Sequence, residues 1–257
     1  AEAAWGTGPG EAGLEQGRNL NPIGGSAFDV DRSGTVYVLD EANRRLLRWP
    51  SGARASVPVP LSVSGTLADM SVAPDGTIHV LETTNGGRDT QLLRSFGADG
   101  LAKGVATIEG RASQIRLGAE GVPIVLQQPS NQWMPAAAAC MPAGPDFQRR
   151  HGRPARQLRQ GGELTVFRTK NEVRVAHVGP RGINRSWRVL SRTALAEVQL
   201  AEPLGERLVV VVRVYAEHRD EFAVLVLDGD GLVSRASVDS ADWAETAPVS
   251  RFRLRGT

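Results

Sequence analysis

Lysine is scarce in this chain of 257 residues. Only Lys103 and Lys170 are lysines among its 30 basic residues, so arginine carries nearly all of the positive charge. Low lysine together with abundant alanine, glycine and valine is typical of a GC-rich coding sequence. The arginines are spread along the chain, apart from the stretch 149–159, and the formal net charge is only +2. Because nucleic-acid-binding proteins concentrate basic residues on one face, this distribution argues against a nucleic-acid partner.

Cysteine, long apolar runs and the common catalytic motifs are also missing or nearly so. A single cysteine, Cys140, excludes an intramolecular disulfide and a multi-cysteine metal site. No apolar run reaches the roughly 18 residues of a transmembrane helix, so no transmembrane segment is predicted. The sequence contains no nucleophile elbow, no phosphate-binding loop and no dinucleotide fingerprint before a helix. Nothing in it therefore points to those enzyme classes.

Two copies of one pattern occupy the first part of the chain. Ser26 to Pro60 and Ala68 to Thr107 each read as strand, tight turn, strand, polar loop, strand, turn and strand. Their first turns end in Gly34 and Gly76, and glycine supplies the positive φ that hairpin turns require. The next strands, TVYVLD and TIHVLE, match position by position, and the third strands share Leu-Leu-Arg. We expect four-stranded antiparallel units that must stack on one another to bury their two apolar faces.

Radial stacking of such units is the architecture of a β-propeller. The segment AFDVDRSGTVYVLDEANRRLLRW resembles an NHL repeat, with Asp40, Asn43, Arg44 and Leu46 at the matching positions. NHL proteins are similar to six-bladed propellers of the gluconolactonase type. The resemblance therefore implies an all-β, β-propeller fold with four-stranded antiparallel blades.

Strand patterns continue beyond the two repeats, although the repeat itself fades. Hairpins are predicted at 113–127 and 163–178, and a full unit at 194–238. Val249 to Leu254 reads as the inner strand of another unit. Five units and one strand favour six blades with an incomplete last blade. The alternative is five blades, in which 249–254 completes a blade that begins near the N-terminus.

Residues 1–20 are predicted to be an N-terminal extension that supplies at most one ring-closing strand, and 21–257 the propeller. Small residues dominate the start of the chain, AEAAWGTGPGEAGLEQG. Such a start resembles the mature side of a signal-peptide cleavage site and predicts a secreted or periplasmic, cell-envelope protein. A cloned fragment would account for the same start.

Two patterns raise the question of a bound metal. The segment Asp29 to Gly34, with an acidic residue at Asp40, superficially fits an EF-hand calcium loop. Both flanks read as strands and not as helices, so we interpret the segment as a hairpin turn. The gluconolactonase resemblance also implies a divalent cation, such as calcium, in a central channel, with Asp69, Glu197 and Gln199 as candidates. The family motif cannot be matched residue by residue, so no catalytic residue, metal ligand or cofactor is assigned.

The four histidines are interpreted as structural or solvated. None lies near another in the sequence; they are His79, His151, His177 and His218. In the repeat alignment His79 corresponds to Tyr37, so we expect it to fill the same place in its unit.

Residues 128–154 interrupt the strand pattern and are rich in Ala, Pro and Arg. We predict a long surface insertion with one short helical turn. Long loops in compact domains are commonly functional, and Trp, Met, Phe and Arg are enriched at protein interfaces. The candidate partner-binding residues are Trp133, Met134, Met141, Phe147, Arg149, Arg150 and Arg153. The alternative is a loop that covers the outer edge of its own blade.

The sequence favours a non-enzymatic, extracytoplasmic propeller that binds a protein partner or takes part in a larger assembly. It leaves the oligomeric state open. A metal-dependent lactonase, hydrolase or lyase of the gluconolactonase type is the alternative function. A carbohydrate-binding propeller is the second alternative.

Overall fold

A computed structural model of the chain describes residues 2–16, 22–84, 90–118, 121–128, 132–139, 155–158, 161–215, 220–239 and 252–254. The described residues have the all-β, antiparallel propeller fold, with five sheets of three or four strands. In each sheet, strands that follow one another in the chain are hydrogen-bonded neighbours. We number these sheets blades 1 to 5 in chain order. The chain divides into two compact units, unit 1 (Ala1–Gly152 and Glu245–Gly256) and unit 2 (Arg153–Ala244).

Unit 1 contains blades 1 to 3. The strands of blade 1 are β1 (Gly25–Val30), β2 (Val36–Asp40), β3 (Arg45–Trp49) and β4 (Val57–Pro60). Those of blade 2 are β5 (Thr66–Val72), β6 (Ile78–Thr83), β7 (Thr90–Phe96) and β8 (Ala102–Glu109). Blade 3 consists of β9 (Arg111–Leu117), β10 (Pro123–Gln128) and β11 (Gln132–Pro135), followed by helix α1 (Ala136–Ala139).

Unit 2 contains blades 4 and 5. The strands of blade 4 are β12 (Ala155–Gln157), β13 (Glu163–Arg168), β14 (Glu172–Gly179) and β15 (Gly182–Leu190). Those of blade 5 are β16 (Leu195–Leu204), β17 (Arg207–Tyr215), β18 (Asp220–Leu227) and β19 (Leu232–Asp239). No helix in the described part of the chain is long and apolar enough to cross a bilayer.

Each unit has its own apolar core, which the alternation along its strands builds. Because successive strand side chains point to opposite faces, Tyr37 and Leu39 of β2 face the same core, which also holds Met70, Ile78 and Phe96. The core of unit 2 is mainly aliphatic and includes Val173, Val175, Leu208, Val210 and Val212. Burial of the aliphatic side chains of β17 therefore stabilises blade 5 against blade 4.

The two repeats correspond in their first hairpins, but their third strands differ from the sequence alignment by one residue. Val36 pairs with Trp49, and Ile78, at the same place in blade 2, pairs with Phe96. Trp49 and Phe96 are both buried, so the burial of a ring opposite a β-branched residue sets the register. The alignment through Leu-Leu-Arg is therefore wrong by one position, and Ser95, not Arg94, is the counterpart of Arg48.

The described residues form five blades and not the six that we predicted. Residues 252–254, which we predicted to lie in an inner strand of a sixth blade, form no strand in the structure. The sequence pattern also failed to indicate β12, which supplies the first strand of blade 4. A three-residue strand is too short to show the two-residue periodicity by which strands are recognised.

The predicted insertion at 128–154 is partly a component of blade 3. Strand β11 (Gln132–Pro135) pairs with β10, so these residues complete a sheet instead of interrupting one. The predicted short helical turn is confirmed by α1 (Ala136–Ala139). Residues 140–154 lie outside the described residues, as do 17–20 of the predicted N-terminal extension. Residues 2–16 have only isolated bridges, so ring closure by this extension stays a prediction.

His79 occupies the place of Tyr37 in blade 2, as the repeat alignment predicted. Each pairs across its hairpin at the same point, Tyr37 with Asp29 and His79 with Ser71. The His79 side chain is buried, with the residue 8% exposed, and its Nδ1 lies 2.9 Å from the Ser95 hydroxyl oxygen. Burial lowers the pKa of His79 below its ordinary 6.5, because the imidazolium would lose its hydration.

We expect His79→Tyr to remove part of the pH dependence of stability. Below pH 6.5 the unfolded chain takes up a proton that buried His79 in the folded chain does not, so the free energy of unfolding falls as the pH falls. The free energy of unfolding changes by up to about 1.4 kcal/mol per pH unit through His79, just below the pKa of this imidazole in the unfolded chain. Urea unfolding between pH 7 and pH 5 measures the free energy of unfolding of the wild type and of the His79→Tyr variant. Parallel stability profiles of the wild type and the variant would contradict the expectation.

Candidate functional site

The first strands of blades 1, 2 and 3 lie side by side in unit 1, and we call β1, β5 and β9 the first-strand wall. Each strand carries a bulge at the same place relative to its second strand. Beyond the bulges, Phe28, Met70 and Ile115 are equivalent, since they pair with a valine at the same place in each second strand. The wall thus presents the same backbone group three times.

Arg253 binds the carbonyl oxygens of these three equivalent residues. Its Nε donates to Phe28 at 2.9 Å, its Nη2 to Met70 at 2.8 Å and its Nη1 to Ile115 at 3.5 Å. The same Nη2 donates to Asp69 Oδ1 at 2.8 Å, and the Arg253 side chain is only 4% exposed. The guanidinium is therefore buried against the first-strand wall with its charge facing a carboxylate.

Asp69 links two arginines. Its side chain is fully buried; its Oδ2 accepts the backbone N–H of Ile115 at 2.9 Å and lies 3.3 Å from Arg116 Nη1. Asp29, whose Oδ1 lies 4.0 Å from Arg253 Nε, adds a second carboxylate. We call Asp29, Asp69, Arg116 and Arg253 the Asp69 cluster. Its two carboxylates and two guanidiniums balance in charge.

The Asp69 cluster is a poor fit for a divalent cation. A cation at Asp69 would have to displace Arg253 from Oδ1 and Arg116 from Oδ2, and it would lose their charge-assisted hydrogen bonds. Asp29 Oδ2 accepts the backbone N–H of Val72 at 2.8 Å and the Ser71 hydroxyl at 3.1 Å. A cation would also stand next to two buried guanidiniums. No group of three or more His, Cys, Asp or Glu able to hold a metal occurs among the residues that the structure describes.

The other metal candidates also have different roles. Asp31 accepts hydrogen bonds from the Ser33 hydroxyl at 2.6 Å and the Thr35 N–H at 2.9 Å, which confirms the hairpin-turn interpretation. Burial acts to raise the pKa of Asp31, but these hydrogen bonds outweigh it and lower the pKa below its ordinary value. On β16, Gln199 donates to Glu197 at 2.7 Å in an exposed pair. Each of these candidates therefore binds partners within its own unit.

A carboxylate at the end of the second strand has the same role in blades 1 and 2. Asp40 accepts the N–H of Gly13 at 3.0 Å, and Glu82 accepts the N–H groups of Ser64 and Gly65 at 2.6 and 2.5 Å. Burial acts to raise the pKa of Glu82, but Arg94 and these N–H groups lower it below its ordinary value. The sequence showed the acidic residue after each second strand, but not its binding to the backbone.

Unit 2 contains a cleft of about 700 Å³ between the outer strands of blades 4 and 5, which we call the unit 2 cleft. Its lining is apolar towards the core and includes Val189, Leu195, Val214, Leu225 and Leu227. Its charged lining residues are Arg188, Arg192, Glu221, Asp228, Asp230 and Arg235. The unit 2 cleft therefore combines an apolar floor with charged residues of both signs.

Strand β15 forms one wall of the unit 2 cleft. Trp187 stands in this wall, with its indole N–H donating to the Asp228 carbonyl at 2.9 Å and the Arg185 guanidinium 5.7 Å from its ring. Among the described strands, β15 has a neighbour only on its β14 side. Its other edge can therefore pair with an added strand.

The structure describes only two of the predicted partner-binding residues. Met134 is 7% exposed and packs in the core beneath β11, so its side chain is not at the surface of blade 3. Trp133 is half-buried, and its ring lies 5.9 Å from the Arg116 guanidinium. The others lie outside the described residues and stay predictions: Met141, Phe147, Arg149, Arg150 and Arg153.

No protein-family model matches this chain, and no curated protein matches it. Among solved structures, it is similar to a putative TolB from Agrobacterium tumefaciens, with a TM-score of 0.51 and 13% identity over 82% of this chain and 79% of that one. It also matches hydrazine synthase from Kuenenia stuttgartiensis (TM-score 0.46, 12% identity, 89% and 70% covered). A third match is virginiamycin B lyase from Staphylococcus aureus (TM-score 0.42, 9% identity, 86% and 71% covered). At 13% identity, the TolB likeness establishes the propeller fold and leaves the function open.

Proposed function

We propose that this chain is a non-enzymatic, NHL-like propeller that binds an extended segment of a protein partner in the unit 2 cleft. The observation that carries this proposal is the apolar cleft of about 700 Å³ next to the open edge of β15. An extended peptide pairs its backbone with such an edge and places alternate side chains in the adjoining pockets. The cleft supplies those pockets between Val189 and Leu225.

The exposed surface around β15 supports a partner of this kind. Ile183 and Leu190, at the two ends of the strand, are 68% and 65% exposed. A segment laid along β15 would cover apolar side chains in addition to pairing its backbone.

The Asp69 cluster supports a binding function over a metal-dependent lactonase. The acidic residues of the first-strand wall, Asp29 and Asp69, hold backbone N–H groups and arginines. A reaction that needs a divalent ion there would require those contacts to break. No residue of the described chain specifically favours a carbohydrate ligand.

We expect Val189→Glu to abolish peptide binding by the unit 2 cleft. The probe is a phage library of random heptapeptides, selected on the purified full chain and followed by calorimetric titration of the consensus peptide. A carboxylate in the apolar lining opposes the entry of apolar side chains. The affinity should therefore fall at least about tenfold, which corresponds to a loss of about 1.4 kcal/mol of binding free energy.

Val233→Glu is the matched control. Val233 lies on β19, is 42% exposed and does not line the cleft, so this variant should keep the wild-type affinity. Circular dichroism checks that both variants are folded. Failure of the library to enrich any sequence, or equal binding by the two variants, would exclude the cleft as the binding site.

A further inference from the structure

We propose that the first-strand wall of unit 1 is a binding site for a guanidinium group, and that Arg253 is its resident intramolecular ligand. The ligand class is a monovalent, planar guanidinium, from a small molecule or from an arginine side chain of a polypeptide. This inference is independent of the unit 2 cleft and goes beyond the proposed function.

The acceptors are arranged for a fork of N–H donors. Three carbonyl oxygens come from the equivalent residues Phe28, Met70 and Ile115, and the carboxylate of Asp69 provides a fourth acceptor. A guanidinium has five N–H donors in one plane, so it can serve all four acceptors at once. An ammonium has three donors on one atom and cannot reach acceptors on three neighbouring strands. The site geometry therefore selects guanidinium over ammonium.

The charges around the site favour an occupant that carries a single positive charge. Asp29 and Asp69 carry two negative charges, and Arg116, at 3.3 Å from Asp69, compensates one of them. Removal of Arg253 takes one positive charge away from Asp69 and Asp29, and an occupant with a single positive charge restores it. A divalent cation would leave buried positive charge, which is strongly unfavourable.

Arg253 resembles a bound ligand, since its side chain is buried among residues of distant strands and its own segment belongs to no described strand. Residues 252–254 belong to no strand in the described part of the chain, yet the Arg253 side chain is more deeply buried than that of Arg116. Its acceptors are more than a hundred residues away in the sequence. The same contacts become available to another guanidinium when the Arg253 side chain is removed.

Chemical rescue of Arg253→Ala in the full chain tests the proposal. The variant should lower the thermal unfolding midpoint of unit 1 by about 4–10 °C, because Asp69 and the three carbonyl groups lose a buried donor. Low millimolar methylguanidinium should restore at least half of that loss. Equimolar methylammonium should restore none, and neither compound should shift the wild type. Acetyl-Phe-Arg-Leu-amide is tested on the same variant. If this peptide restores stability, the site binds arginine side chains; if only methylguanidinium does, the site binds small molecules.

Arg54→Ala is the control, because Arg54 belongs to the same unit and its side chain is exposed. It should change the midpoint little and gain nothing from methylguanidinium. Equal rescue of Arg253→Ala by methylammonium, or no rescue by any guanidinium compound, overturns the proposal. If the variant does not fold on expression, its refolding yield from urea is measured instead, and that yield should rise with methylguanidinium and not with methylammonium.

Discussion

Replacing Asp69 with alanine should lower the free energy of unfolding of unit 1 by about 3–5 kcal/mol. Asp69 is fully buried, and the variant leaves two guanidiniums, Arg253 and Arg116, that are 4% and 10% exposed without this carboxylate. It also leaves the backbone N–H of Ile115 without its acceptor. Removal of one partner from a buried ion pair costs more than the pair contributes, since the remaining charge stays desolvated. Urea unfolding followed by circular dichroism measures the change.

Asp75→Ala is the control for this variant. Asp75 is exposed at the turn of the same blade and accepts hydrogen bonds from the N–H and hydroxyl groups of Thr77 at 2.9 and 2.8 Å. Loss of these solvated contacts should cost only about 1 kcal/mol. A double-mutant cycle of Asp69→Ala and Arg253→Ala should show coupling, because the two side chains are in direct contact. A loss for Asp69→Ala no larger than that of the control would show that the cluster does not hold the first-strand wall together.

The strands of this protein could be predicted from local sequence because two-residue periodicity and turn glycines are local signals. Strands β13 and β14 (163–179) form the hairpin predicted at 163–178, and β16 to β19 (195–239) form the unit predicted at 194–238. The glycine after each first hairpin turn has the expected positive φ, 86° at Gly34 and 81° at Gly76. The blade is therefore encoded within about forty residues at a time, which is the spacing of propeller repeats.

The number of blades and the chemistry of the first-strand wall could not be predicted in this way. The sequence drew attention to Asp69 as a possible metal ligand, and the structure does place it in the first-strand wall, but with arginines as partners. Arg253 follows Asp69 by 184 residues, and no local pattern joins them. The segment that looked like the start of a sixth blade carries this arginine. An alternating pattern with arginine at every second position reads as a strand, whether it pairs in a sheet or supplies one side chain to another site.

The residues of blade 1 on which the predicted NHL resemblance rests illustrate the same limit. Asp40, Asn43 and Arg45 belong to the motif that predicted a repeat and no ligand. In the structure they bind residues 2–16, which we call the N-terminal segment. Asn43 Nδ2 donates to the Gly6 carbonyl at 3.1 Å, and Arg45 Nη2 donates to the Gly8 carbonyl at 2.8 Å. A motif identifies the blade, and the segment that the blade binds is determined by tertiary structure.

Asp40→Ala should release the N-terminal segment and lower the free energy of unfolding of unit 1 by about 3–5 kcal/mol. The carboxylate is fully buried; it accepts the Gly13 N–H at 3.0 Å and pairs with Arg45 Nε at 3.0 Å. Gly13 fits against it closely, since an added Cβ would lie 2.7 Å from Asp40 Oδ1. Without the carboxylate, Arg45 is a buried cation that no longer positions the segment. A glutamate-specific protease can cleave at Glu11 and Glu15 only when the N-terminal segment is released from blade 1. Cleavage there should therefore become about tenfold faster or more in the variant.

Glu82→Ala separates local release from general loss of stability. Glu82 is the counterpart of Asp40 in blade 2 and is also fully buried, with Arg94 as its ion-pair partner. Its loss should destabilise unit 1 comparably, but it binds Ser64 and Gly65 and makes no contact with the N-terminal segment in the described hydrogen bonds. Cleavage at Glu11 should thus stay near the wild-type rate in native buffer. If both variants accelerated cleavage equally, the segment would be held by the stability of the whole unit and not by the Asp40 carboxylate.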